Sequence, residues 1–174
     1  MKTRFLLMKV RLAIVTSFAA LLALGIAVAQ NTAAAAYGRG IAANEQNVRG
    51  TFNFEVARRP RDGGGTPVIA GRLTFRSENP TERVVTEVNM TQIVQLAFAN
   101  PKVSEFTGRG VLARRVGTGE TRRFEGRLSV RVQDRRANGV GEPDLFRIRF
   151  WSADNRQLLN FSARVIDGDI VVRM

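Results

Sequence analysis

From residue 48 onward the chain alternates apolar and polar residues with a period of two, and this constrains the fold more than any other feature. Phe52, Phe54 and Val56 alternate with Thr51, Asn53 and Glu55. Leu73 and Phe75 alternate with Arg72, Thr74 and Arg76. Phe124, Leu128, Val130 and Val132 share a face with Gly126, while Glu125, Arg127, Ser129, Arg131 and Gln133 take the other. Phe146, Ile148 and Phe150 alternate with Arg147 and Arg149, and Leu159, Phe161, Ala163 and Val165 precede Ile170 and Val172. Successive strand residues point to opposite faces, so such segments bury one face and wet the other. That is the habit of antiparallel sheets.

The punctuation agrees. Arg61-Asp62-Gly63-Gly64-Gly65, Ser77-Glu78-Asn79-Pro80, Gly117-Thr118-Gly119 and Asn138-Gly139 read as loops or turns. Asp167-Gly168, between two apolar runs, reads as a hairpin turn, whose central residues take positive φ. Eight or nine strands at this spacing predict an all-β fold, an antiparallel β-sandwich or an up-and-down barrel. Residues 84–98 read either as two strands or as a strand and a short helix around Thr91–Ala97.

The first 29 residues differ in kind. Lys2, Arg4, Lys9 and Arg11 precede an apolar run from Leu12 to Val28 that ends in Ala27-Val28-Ala29. Basic, apolar and small-x-small regions in that order make a secretory signal peptide, cleaved between Ala29 and Gln30, with a secreted or periplasmic product. The rival is a retained anchor, for which the run is short. Residues 30–47, with an alanine run at Ala33–Ala36 and then Gly, Asn and Gln, read as a flexible linker. That leaves 48–174 as a single β-domain, long enough to bury a core without staples.

Composition narrows the chemistry. The chain has no His and no Cys. Ser-His-Asp and Cys-His catalysis are excluded, as are zinc and copper sites built on N and S ligands. Four of the 27 Lys and Arg lie in the leader, leaving 23 against 15 acidic residues, a net charge of +8. Lys102 is the single lysine after residue 29, so the positive charge is almost wholly arginine. A basic surface attracts anionic partners such as surface polymers, or another exported protein. The bland alternative is a coding bias toward arginine. Nucleic acid is disfavoured, because the interleaved aromatics and recognition elements of its readers are missing.

Three groups could carry function. Asp134, Asn138, Glu142 and Asp144 place oxygen ligands in a Gly-rich loop, which suits calcium, although Arg135 and Arg136 oppose a cation and capping of the turn explains the same residues. Trp151, Arg147 and Arg149 share the outward side of one strand and form a candidate ligand platform. Glu55, Glu87, Glu105 and Glu125 are the carboxylates a glycan-acting enzyme would need, but their parity places them outward. Gly71, Gly108, Gly110 and Gly126 fall on apolar faces, where glycine admits a bend, a close aromatic, or space for a small apolar ligand. An outer-membrane barrel would need girdles of Trp and Tyr, and the chain has one of each, with Tyr37 in the linker.

Phe106-x-Gly108-x-Gly110, the run Phe124-x-Gly126-x-Leu128-x-Val130-x-Val132-x-Asp134, then Gly141-x-x-Asp144-x-Phe146-x-Ile148 and Gly168-Asp169-Ile170 resemble small secreted bacterial β-domains that accompany choice-of-anchor surface modules. The resemblance implies an accessory role without enzyme activity. The expectation is therefore an exported, non-enzymatic interaction or accessory module with no cofactor, unless the loop holds calcium. The alternatives are a lipocalin-like carrier of a small apolar ligand and a carbohydrate-binding or glycan-acting protein.

Overall fold

The alternating segments fold into eight long strands, each hydrogen-bonded to its neighbours in the chain. The computed structural model describes residues 34–174 apart from 62, 64, 138 and 139, so the leader 1–29, its cleavage site and the Asn138-Gly139 turn lie outside the described residues. The strands are β1 (Ala35–Ala43), β2 (Arg49–Arg59), β3 (Val68–Asn79), β4 (Val84–Asn100), β5 (Val103–Val116), β6 (Arg122–Gln133), β9 (Leu145–Ser152) and β10 (Gln157–Arg173). Between β6 and β9 lies a two-residue hairpin, β7 (Arg136–Ala137) with β8 (Val140–Gly141). All pairings are antiparallel and β1 closes onto β10, so the sheet is one closed up-and-down barrel rather than two packed sheets. Closure satisfies the edge strands that an open sheet would expose.

The inward positions are those the alternation marks. Phe52, Phe54, Phe75, Phe106, Phe146, Phe150 and Phe161 are each at most 3 % exposed. Phe52 stacks on Phe146 with ring centroids 4.5 Å apart, and Phe75 meets Phe161 at 5.0 Å. An eight-stranded barrel has an interior just wide enough for side chains to fill. Each buried Phe contributes about 1.5–3 kcal/mol by leaving water.

Two expectations are corrected and two open alternatives are decided. The segment 30–47 is not all linker: β1 occupies Ala35–Ala43 and pairs with β2 on one side and β10 on the other. The barrel therefore begins before residue 48. The inner face of β1 is Ala36, Gly38, Gly40 and Ala42. A Cβ on Gly38 would stand 2.7 Å from Phe54 Cε1. Second, Thr91–Ala97 is strand, not helix. It belongs to the second half of β4, which pairs with β5 through three register shifts. Bulges of this kind bend a strand, and here the bend carries Leu96 into the core, where it is 2 % exposed. Arg58 holds the bent segment by donating from Nη2 to the Leu96 carbonyl at 2.8 Å.

Third, Asp167-Gly168 is not a hairpin turn. It lies inside β10, next to the register shift between Ile41 and Ala42 in the ladder with β1. Gly168 does have φ +90°, but at a bulge. Fourth, of the readings open for the glycines at 71, 108, 110 and 126, close approach holds and space for a ligand does not. A Cβ on Gly108 would meet the Gln92 carbonyl, one on Gly126 the Trp151 carbonyl, and one on Gly110 would meet Leu128 Cδ2 at 2.8 Å. They let neighbouring strands approach; Gly108 and Gly110 are buried, whereas Gly71 is exposed.

Candidate functional site

The Asp134–Asp144 segment sits where β10 loses a partner. The β9 ladder reaches β10 only from Gln157 to Arg164, and from there to Arg173 the strand pairs with β1 alone. Its other edge would leave N–H groups unsatisfied, which is costly when buried. Asp144 supplies the missing acceptors. Its Oδ2 accepts from Ile170 N at 3.0 Å, its Oδ1 accepts from Arg135 N at 2.8 Å and Arg136 N at 3.1 Å, and its carbonyl accepts from Val165 N at 2.8 Å. Asp134 Oδ2 accepts from Val172 N at 3.4 Å. The Asp144 residue is fully buried, so its charge is stabilised by these donors rather than by water.

Of the four calcium candidates, Asp134 and Asp144 therefore come together as acceptors for the backbone of β10. Glu142 turns instead to Arg135, with Nη1 to Oε2 at 2.9 Å, and Asn138 lies outside the described residues. No group of three or more His, Cys, Asp or Glu gathers for a metal among the described residues. Asp169 lies beside this pair. Desolvation first, and then the Asp144 carboxylate, raise its pKa above the usual aspartate value.

The carboxylates Glu55, Glu87, Glu105 and Glu125 lie on four different strands, and no two stand opposite each other in a ladder. Glu87 pairs with Arg76 at 2.8 Å, and Glu55 lies 3.7 Å from Arg72. They do not form the facing pair that glycoside hydrolysis needs.

The outer face of β5, β6 and β9 is different. The register places Glu105, Arg131 and Arg147 in one row, Thr107, Ser129 and Arg149 in the next, and Arg109, Arg127 and Trp151 in the third. Five arginines thus stand on three adjacent strands with one acid, Glu105. Two like-charged pairs, Arg109–Arg127 and Arg131–Arg147, face each other directly, an arrangement that costs stability. Trp151 is half-buried, and the Arg127 guanidinium carbon lies 4.6 Å from its ring centroid. Comparison with protein-family models, curated proteins and solved structures gives no match. The resemblance to secreted surface β-domains therefore rests on the quoted residues alone.

The sequence reading named Arg147, Arg149 and Trp151 on one strand but missed Arg109, Arg127 and Arg131 as their companions. Each was visibly outward by parity. What joins them is the pairing register of three strands, which alternation within one strand does not contain.

Proposed function

We propose that this protein is an exported, non-enzymatic interaction module that works through the outer face of its barrel, the interior being structural. The observation that carries this is the packed interior: seven Phe side chains fill the space in which a carrier would hold its ligand. The concavities of the described residues include open grooves on the outside, such as one of about 510 Å³ beside Thr51, Asn53 and Thr74. Export is supported by the basic and apolar leader with its small-x-small site.

A membrane-embedded barrel would present apolar residues outward. Here Arg72, Arg76, Arg109, Arg127, Arg131, Arg147 and Arg149 point outward and are exposed. Each arginine facing lipid at mid-depth would cost about 2–4 kcal/mol. Among the described residues no helix is long and apolar enough to cross a membrane.

Native mass spectrometry of the protein from the exported fraction tests this reading. The expected mass is that of a chain starting at Gln30 with no stoichiometric small molecule. A retained apolar ligand at one per chain would overturn it in favour of the carrier.

A further inference from the structure

We propose that the arginine strip on β5, β6 and β9 binds a single chain of an acidic polysaccharide. The inference rests on the outer face being the working surface, and it names the chemistry of the partner.

The strip is set apart by crowding, with five arginines on three paired strands, as well as by its lack of carboxylate partners. On β3 the outward arginines are neutralised: Arg76 pairs with Glu78 and Glu87, and Arg72 lies beside Glu55. On the strip, among the described residues, none of Arg109, Arg127, Arg131, Arg147 and Arg149 has a carboxylate within 4.0 Å. Glu105 stands opposite Arg131 in the ladder, yet its Oε1 accepts from Ser129 Oγ at 3.4 Å. Arg147 donates to Ser162 Oγ at 3.4 Å, and Arg127 covers the Trp151 ring. Their guanidinium forks remain open to carboxylate or sulfate, which they match bidentately.

Size selects a polymer segment over a broad surface. Three strands span about 10 Å across, and Arg127 to Arg131 covers about 13 Å along β6, from the usual strand spacings. On its two sides the strip meets Gln92 and Gln95 on β4 and Asn160 and Ser162 on β10, with Arg164 and Glu125 beyond its ends. A compact charged patch of this size, flanked by amide and hydroxyl groups, suits one stretch of a linear chain whose acidic groups meet arginine and whose hydroxyls meet amides. A membrane would call for a wider field. Single-stranded nucleic acid would call for successive stacking aromatics, whereas Trp151 is the chain's single tryptophan and already carries Arg127 on its ring.

That single tryptophan is also the reporter. The protein from the exported fraction is titrated with polygalacturonate at about 0.15 M salt, where long-range attraction is screened. A saturable change in Trp151 fluorescence is expected, with neutral dextran giving none. The variant R127Q/R131Q/R147Q/R149Q should bind about tenfold or more weakly. The control R39Q/R49Q/R72Q/R76Q, equal in charge but on β1 to β3, should stay within about twofold. Thr107→Glu, which sets a carboxylate amid the arginines, should weaken binding without removing any guanidinium and covers the case of a misfolded quadruple variant. Equal weakening in strip and control variants would mean net charge alone and would overturn the strip. Tighter binding of oligothymidylate or of phosphatidylglycerol vesicles than of polygalacturonate would overturn the polysaccharide while leaving the outer-face reading intact. A tightly held interior ligand in the mass measurement would remove the outer-face reading itself.

Discussion

Asp144→Ala is expected to lower stability by about 3–4 kcal/mol, because three backbone N–H groups lose their acceptor at once and each unsatisfied buried donor costs about 1–3 kcal/mol. Ile170 N is buried and carries the full penalty, while Arg135 N and Arg136 N are partly buried and recover some of it from water. Set against a typical domain stability of about 5–15 kcal/mol, the loss is large. It is read as a fall in the urea midpoint at unchanged m. Asp144→Asn keeps one oxygen acceptor and points an amide at the remaining donors, so an intermediate loss is expected. Millimolar calcium should leave the wild-type midpoint where it is, since the lone pairs of Asp144 and Asp134 already serve β10. A calcium-dependent rise would mean instead that the loop is a cation site.

Phe146→Ala is expected to cost about 3–5 kcal/mol, the range for deleting a large buried aromatic. Phe146 is fully buried at the centre of the aromatic packing. Its ring lies 4.5 Å from Phe52, 5.7 Å from Phe75 and 6.3 Å from Phe54, centroid to centroid. Thermal and urea unfolding both report the loss. The same substitution makes a second prediction about the interior. Removing the ring leaves an apolar cavity of the kind that stays dry and admits benzene. Benzene should therefore raise the melting temperature of the variant through linkage and leave that of the wild type unchanged. A wild-type rise with benzene or a fatty acid would show that the barrel already contains room for a ligand.

The two faces of most strands were legible in the sequence because parity within a strand is a local property. Phe146, Ile148 and Phe150 point inward and Arg147 and Arg149 outward, as their alternation requires. What escaped depends on contacts distant in the chain. In β1 the inward residues are Ala36, Gly38, Gly40 and Ala42, which look like a linker because they are small. Gly38 has no room for a side chain because Phe54, on β2, lies against it, and Gly40 because the Asp167 carbonyl of β10 does. Asp167-Gly168 carries a local hairpin signal, but the bulge it forms is dictated by closure of β10 onto β1, whose partner Ile41 lies more than a hundred residues earlier.

The candidate site divides in the same way. That Asp144 is acidic and sits in a turn-rich loop is plain from the sequence, and both calcium binding and capping fit those facts. Its use as a substitute strand edge depends on Ile170, 26 residues on. Arg147, Arg149 and Trp151 could be seen together because they lie on one strand. The strip they join became visible only when the ladders set Arg127 beside Trp151 and Arg131 beside Arg147.

The central claim is that the protein meets its partner with the outside of a solid barrel. Backbone amide chemical shifts, recorded with and without polygalacturonate, test it most directly. The account predicts perturbations confined to residues 105–109, 127–131 and 147–151, with the amides of Phe52, Phe54 and Phe75 across the barrel unmoved. Shifts centred on those inward aromatic residues, with the arginine strip silent, would contradict it.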